Sequence, residues 1–406
     1  MPATLDQWSC RSLKRLIDIP KLKRALYFGG HDLIYRFTGP IERMQARRNQ
    51  ARYVGTLVAV TGSCGKSTTT NLAARLLGEQ GKARLGLYWN TARRALRQVR
   101  KLSEPVDFVV QEVSGHQPGA LDETVSTLRI DIAVVTAVGL DHLVAFRTPE
   151  AVAAEKGKLV AAVSETGIAC LNADDPLVGG MAERCRGRVI LYGRSPDAEV
   201  RAENVSSKWP ERLSFDLVVG DRRIPVHTRF VSTLMLTNLL AALAVVHAAG
   251  KSLELAAEAL AELEPLPERM SVATGFDQHA YVKDTFKASF WSARRLVEDL
   301  DNWGPERRIV VMGDLSDMGN DSQKKYRQIL RAAAARAALV VGAGHAAGSA
   351  ERLKAAGVAN IVAAGSLDEI RAILAAQPPS LVLLKCNKSF PLCEIFDDRP
   401  AVTAAA

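Results

Sequence analysis

The chain has 406 residues, a length that points to two or three domains rather than one core. Its 48% hydrophobic and 24% charged residues are the ordinary balance of a soluble globular protein. No run approaches the roughly 20 apolar residues of a bilayer span, and the first segment lacks a signal peptide's apolar core. The net charge of +9 is concentrated ahead of residue 53, where eleven Lys/Arg face four Asp/Glu. No zinc-finger or RNA-binding signature accompanies it, so nucleic acid is not an expected partner. The six cysteines show no metal spacing and read as reduced thiols of a cytoplasmic protein.

Residues 1–52 alternate basic and apolar side chains and predict a short helical arm. Its two helices are expected over about 12–28 and 32–52, broken at Phe-Gly-Gly and Thr-Gly-Pro. Two readings of this arm stand side by side. It packs on the next domain, or it meets a partner, at the inner face of the membrane or in a polymer-assembly system, as basic amphipathic helices do.

Residues 53–265 then alternate strand, loop and helix. "GTLVAV", "DFVVQEV" and "IDIAVVTAV" are continuous apolar runs of the kind buried parallel strands require. "PEAVAAEKGKLVAAV" is a helix opened by Pro149. Antiparallel strands turning at Gly220-Asp221 follow, then two helices and the proline-flanked "PLPER". Over 266–406 the alternation resumes with "RIVVMGDL", "AALVVGA", "NIVAAG" and "LVLLKCN". The expected fold is α/β: a central P-loop parallel-sheet ATPase domain over 53–265 and a C-terminal Rossmann-like domain over 266–406.

The most informative stretch is "VAVTGSCGKSTTTNLAARLL", residues 58–77. Strand, Gly-Ser-Cys-Gly-Lys-Ser turn and helix form the context of a phosphate-binding loop. Backbone N–H groups of Gly62, Ser63, Cys64, Gly65 and Thr68 and the helix N-terminus face an anion, Lys66 supplies a point charge, and Ser67 reaches a Mg²⁺. The general pattern asks for a glycine at position 60, which is Val60 here.

The form T-G-[ST]-x-G-K-[ST]-T-T resembles the Mur ligase family of ATP-dependent amide ligases, which also carries a non-glycine residue there. Further matches follow in order. "QEVSGHQPG" places Glu112 at a strand end, "TAVGLDHL" aligns His142, and "VAAEKGKLV" aligns Lys156 with a lysine that the family typically carbamylates. "LNADDP" is a hallmark almost unchanged, "KDTFKAS" supplies Asp284, and "MGDLSDMG" and "LLKCNKS" are similar to the member that adds D-alanyl-D-alanine.

The resemblance implies an ADP-forming carboxylate–amine ligase that acts through an acyl phosphate, with ATP and Mg²⁺ as cofactors and small-molecule carboxylate and amine substrates. Ser67 and Glu112 would hold one Mg²⁺; His142, Glu112 and carbamylated Lys156 would hold a second. Asp284 would accept from the ribose, Asn238 would lie near the adenine, and Arg269 or Lys287 would meet the phosphates. Each has a plainer alternative: Glu112 as a strand-end residue, His142 as a structural histidine, Lys156 as a solvated helix residue, Asp284 as a loop acid.

Departures from the family pattern also stand out. Only about 52 residues precede the P-loop, too few for an α/β domain that binds a uridine nucleotide. The asparagine of T-N-I is Ala137, only Asn238 remains of H-N-x-x-N, and residues 287–290 read Lys-Ala-Ser-Phe. Metal ligands kept beside altered substrate-facing positions suggest a ligase directed at another acceptor: a sugar acid, a poly-amino acid or a small metabolite. A non-catalytic ATP-binding scaffold is the alternative.

Overall fold

Two sheets dominated by parallel strands organise the chain. The computed structural model describes residues 20–88, 90–139, 145–275, 278–304, 307–316 and 318–396. The fold is α/β, as the strand–helix alternation predicts.

A long helix α1 (Pro20–Tyr53) leads into β1 (Val54–Thr61), α2 (Lys66–Gly78), β2 (Ala83–Gly86), α3 (Ala92–Arg100), β3 (Val106–Glu112) and α4 (Asp122–Thr127). Then come β4 (Ile130–Val135), α5 (Pro149–Ala161), β5 (Val163–Asn172), α6 (Pro176–Gly179) and β6 (Arg188–Gly193). The strands β7 (Val200–Ser206), β8 (Ser214–Val219) and β9 (Arg222–His227) complete a sheet ordered β2-β3-β1-β4-β5-β6-β7-β8-β9. Its pairs are parallel through β7, and the last two are antiparallel. The central strands β1, β3 and β4 are apolar without alternation because helices cover both faces.

Helices α7 (Leu236–Ala248) and α8 (Leu253–Glu262) follow. The helix α7 is apolar all round, and it is buried accordingly between the sheet and α2. The second sheet uses β10 (Ser271–Thr274), β11 (Ala280–Asp284), β12 (Arg308–Met312), β13 (Leu339–Ala343), β14 (Ile361–Ala364) and β15 (Leu381–Lys385) in the order β10-β11-β15-β12-β13-β14. Only β10 is antiparallel to its neighbour. Helices α9 (Phe290–Asp299), α10 (Ser322–Ala334), α11 (Ala347–Ala355) and α12 (Leu367–Ala375) connect these strands. One apolar cluster runs from β1 through α7, Met270, Leu296 and Trp303 into β12, so the two sheets share a core.

Three differences from the sequence reading have physical causes. The arm is one helix from Pro20, not two, and residues 12–19 lie outside the described ones. Pro40 removes one N–H from its ladder. Packing outweighs that loss: Gln50 exchanges two hydrogen bonds with the Arg129 backbone, Asn49 donates to the carbonyls of Arg100 and Leu102, and Glu42 pairs with Arg93 and Arg100. Strands β2, β5, β6, β10 and β11 carry no sequence signal strong enough to predict them. They are short or polar-interrupted and take their conformation from the neighbour they pair with. Among the described residues no helix is long and apolar enough to cross a membrane.

Asp299 ties the sheets together. Its buried carboxylate accepts from the hydroxyls of Ser232 and Thr233, ahead of α7, and from Asn302 and the Trp303 indole. Asp299→Ala strands these donors and should cost about 2–4 kcal/mol in urea unfolding. Beyond β12, burial pushes the Asp314 carboxyl up, but the backbone and ring of His345 and the Ser389 hydroxyl outweigh it and hold it below the ordinary value. A depressed folded pKa stabilises above the unfolded pKa and loses that contribution as pH falls through the folded value. The stability gap between the native chain and Asp314→Asn should therefore be widest near neutrality and close in acid, as denaturation across pH will read.

Candidate active site

The loop after β1 answers the question of the missing glycine. Val60 is a fully buried strand residue paired on both sides, to Glu112 and Val134, so the phosphate-type turn starts at Gly62. Gly62 has φ +147° and Gly65 has φ +82°. A Cβ would stand 1.9 Å from Thr136 Oγ1 at Gly62 and 2.0 Å from Asn238 Oδ1 at Gly65, so both positions exclude any side chain. Thr136 Oγ1 donates to the Cys64 carbonyl at 2.5 Å, and the Ser63 amide donates to the Ala137 carbonyl at 2.8 Å. The loop is thus held open by its neighbours, with the N-terminus of α2 behind it.

Lys66 Nζ donates to the Gly62 carbonyl at 2.7 Å, folded over the loop it serves. Ser67 Oγ donates to Glu112 Oε2 at 2.9 Å. The pairing of β1 with β3 makes this meeting inevitable, because it ends both strands side by side with Val60 opposite Glu112. Glu112 is buried and also accepts from Asn90 Nδ2 at 3.2 Å and, more weakly, from the Tyr88 amide at 3.4 Å.

These groups line a cavity of about 270 Å³ between the two sheets. Its far wall comes from the second sheet and α9. Asp284, at the end of β11, accepts from Lys385 Nζ at 2.5 Å, and Lys385 also donates to the Lys287 carbonyl at 3.0 Å. One carboxylate oxygen expected to face a ribose is therefore already engaged. Arg269 stacks 4.0 Å over Phe286, and its buried Nε has no hydrogen bond among the described residues. Phe286 in turn stacks on Tyr88 across the cavity at 5.4 Å, with Lys388 at 3.9 Å from its ring. Tyr88 sits at φ +62°, a strained angle for a side-chain-bearing residue, so the contact fixes a costly conformation. Asn238 accepts from Thr69 at 3.3 Å and lies beside Leu234 and Met235 on an apolar wall.

The structure therefore brings Ser63, Cys64, Gly65, Lys66, Ser67 and Thr68 around one cavity with Glu112, Asn238, Arg269, Asp284 and Lys287. Gly62 stands at the back of the loop. Lys156 is buried on α5 with 2% exposure, which removes the reading of a solvated helix residue, but it is not among the lining residues. His142 lies outside the described residues. Among the described residues no group of three His, Cys, Asp or Glu side chains stands ready for a metal. Sequence reasoning did not single out Tyr88, Asn90 or Lys385. The first two follow β2, a strand without a sequence signal; the third lies in "LLKCNKS", where its pairing with β11 was the missing fact.

The residues present fit a magnesium–nucleoside triphosphate. The cradle is bare of side chains, a hydroxyl and a carboxylate stand together for a cation, and an arginine nitrogen lacks a partner.

Two family profiles match the chain: "Mur ligase middle domain" over residues 60–246 and "Mur ligase, glutamate ligase domain" over 268–387. The UDP-N-acetylmuramoyl-tripeptide–D-alanyl-D-alanine ligase of Mycobacterium tuberculosis is 31% identical over 294 residues, 68% of this chain and 56% of that protein. This chain thus spans little more than half the length of that relative. The UDP-N-acetylmuramoylalanine–D-glutamate ligase of Pelotomaculum thermopropionicum is 29% identical over 351 residues, 84% and 71% of the two chains. In structure, the MurF ligase of Thermotoga maritima in complex with ADP superposes with a TM-score of 0.78 at 21% identity, over 88% of this chain and 82% of that one. MurF from Acinetobacter baumannii gives 0.76 at 20%, over 88% and 79%.

Gly65→Ala tests the cradle. It should lower ADP affinity by at least about tenfold in titration calorimetry and cost about 1–2 kcal/mol in unfolding, through the left-handed φ and the collision with Asn238.

Proposed function

Because this chain belongs to the Mur ligase family, we infer that it is an ATP-dependent, ADP-forming ligase that joins a carboxylate to an amine. The observation that carries this reading is the Ser67–Glu112 contact at the rim of a side-chain-free phosphate cradle, facing Arg269 and Lys287 across one cavity.

A carboxylate is a poor electrophile, and ATP supplies the phosphoryl group that turns it into an acyl phosphate open to an amine. The protein's work is to hold a crowded set of negative charges together. Lys66 and the amides at the start of α2 would hold the β and γ phosphates. Ser67 and Glu112 would hold a Mg²⁺, which would offset phosphate charge. Arg269, braced on the Phe286 ring, and Lys287 neutralise the phosphates from the other sheet. Lys385 holds one carboxylate oxygen of Asp284 in place at the end of β11, on the cavity wall. His142 and a carbamylated Lys156 are assigned a second Mg²⁺ with Glu112. Lys156 is buried, so a solvated helix side chain is not the alternative to this role. The shared core and the Asp299 tie hold the two walls of the cavity together.

The relatives act, by their names, on a UDP-N-acetylmuramoyl-tripeptide and on UDP-N-acetylmuramoylalanine. We assign this chain an amino acid as amine and a different acid as acceptor: a sugar acid, a poly-amino acid or a small metabolite. Support comes from Ala137, whose methyl stands where the family pattern has an amide, and from Lys287, which adds charge at the cavity wall.

Incubation with ATP, Mg²⁺, amino acids and candidate acids, followed by ADP release and product mass, tests the reading. A UDP-muramoyl peptide as the sole effective acceptor would remove the altered-acceptor part. ATP binding without substrate-stimulated ADP release would mark a scaffold instead. Lys66→Ala and Lys156→Ala should each lower turnover by at least about 10³-fold, with a short carboxylate partly restoring the second. Full activity in Lys156→Ala would refute the carbamate.

A further inference from the structure

The outward arc of α1 is a built feature that the ligase chemistry does not use. Helix α1 turns Glu42, Ala46 and Gln50 into the protein and leaves Phe37, Ile41 and Met44 exposed by 77%, 55% and 64%. Their spacing of four and three residues places them on one stripe. Pro40, Arg48 and Arg52, all exposed, flank or continue it. The exposed positions between 37 and 52 include no Asp or Glu. Arg48 and Arg52 make no ion pair among the described residues, whereas Arg43, at the edge of the packed face, is paired with Glu123.

We propose that this face docks on an anionic lipid surface. Three large apolar side chains in line with Arg48 and Arg52, which meet no acid among the described residues, match a boundary that offers hydrocarbon depth and phosphate charge at the same level. Residues 1–52 carry eleven Lys/Arg against four Asp/Glu, so the segment that bears this face is basic overall. A second copy of the chain fits the same arc poorly. It would bring an equally basic segment and bury Arg48 without an acid to meet it. A nucleic-acid strand would satisfy the arginines and leave Phe37, Ile41 and Met44 unrewarded. The helix is fixed to the body by Asn49, Gln50 and Glu42, so docking would place the ligase cavity at a set distance from the surface.

Cosedimentation of the full chain with vesicles decides the matter and is independent of turnover. Phosphatidylglycerol-containing vesicles should retain the chain and phosphatidylcholine vesicles should not, with binding weakened by salt. The triple variant Phe37→Ser, Ile41→Ser, Met44→Ser and the pair Arg48→Glu, Arg52→Glu should each lose about tenfold in partitioning. Their melting temperature and ADP affinity should be unchanged, because the arc touches neither core nor cavity. Absence of vesicle binding, equal binding to neutral lipid, or variants that bind like the native chain would overturn the proposal. So would self-association in sedimentation velocity that the triple serine variant abolishes.

Discussion

A strand ending beside another strand's carboxylate, with no side chain allowed in the turn between, is the constraint on which this molecule rests. The β1–β3 pairing places Val60 opposite Glu112, and the loop must then reverse within the four residues 62–65. Thr136 and Asn238 press so closely on Gly62 and Gly65 that a methyl group has nowhere to go. The Ser63 amide is taken up by the Ala137 carbonyl, the start of α2 lines the cavity, and a hydroxyl and a buried carboxylate are left in contact at the mouth. Glu112 accepts there from Ser67, Asn90 and the Tyr88 amide.

The second sheet turns this cradle into a cavity. Lys66 and Ser67 come from the strand–helix junction of the first sheet, Asp284 and Lys385 from adjacent strand ends of the second. Three kinds of contact hold the halves at working distance: the shared apolar core, the four-donor embrace of Asp299, and the stack of Tyr88 on Phe286. They differ in character. The core and Asp299 are buried and should persist; the aromatic stack sits at the rim, involves a strained backbone angle, and is flanked by two cations. Rim contacts of this kind are the ones that a closing cleft can make and break at low cost.

Legibility of the site followed the reach of each signal along the chain. Gly62 to Thr68 could be read because strand, turn and helix are contiguous and each residue's task is local. Glu112 could be read because it ends a continuous apolar strand. Lys385 stood within a quoted motif, yet its role depends on β11 and β15 lying side by side, a pairing across about a hundred residues that no local pattern encodes. Tyr88 and Asn90 were invisible for a related reason: β2 is four residues long with two of them exposed, and only its pairing with β3 makes it a strand. The arm misled in the opposite direction. Gly29-Gly30 and Pro40 read as breaks, but contacts of Asn49, Gln50 and Glu42 with α3 and the segment after α4 stabilise a helix that local propensity disfavours.

The amino-acid sequence by itself determined the alternation of strand and helix, the phosphate-binding turn, the family, and the concentration of charge ahead of residue 53. These are properties of residues near one another, written in period and spacing. Tertiary structure alone decided which strand ends meet, that Asp284 is held by Lys385, that Tyr88 reaches Phe286, and which face of α1 is left to solvent. Those outcomes arise from register and packing between distant segments, where the energy belongs to a pair of surfaces rather than to either stretch of chain.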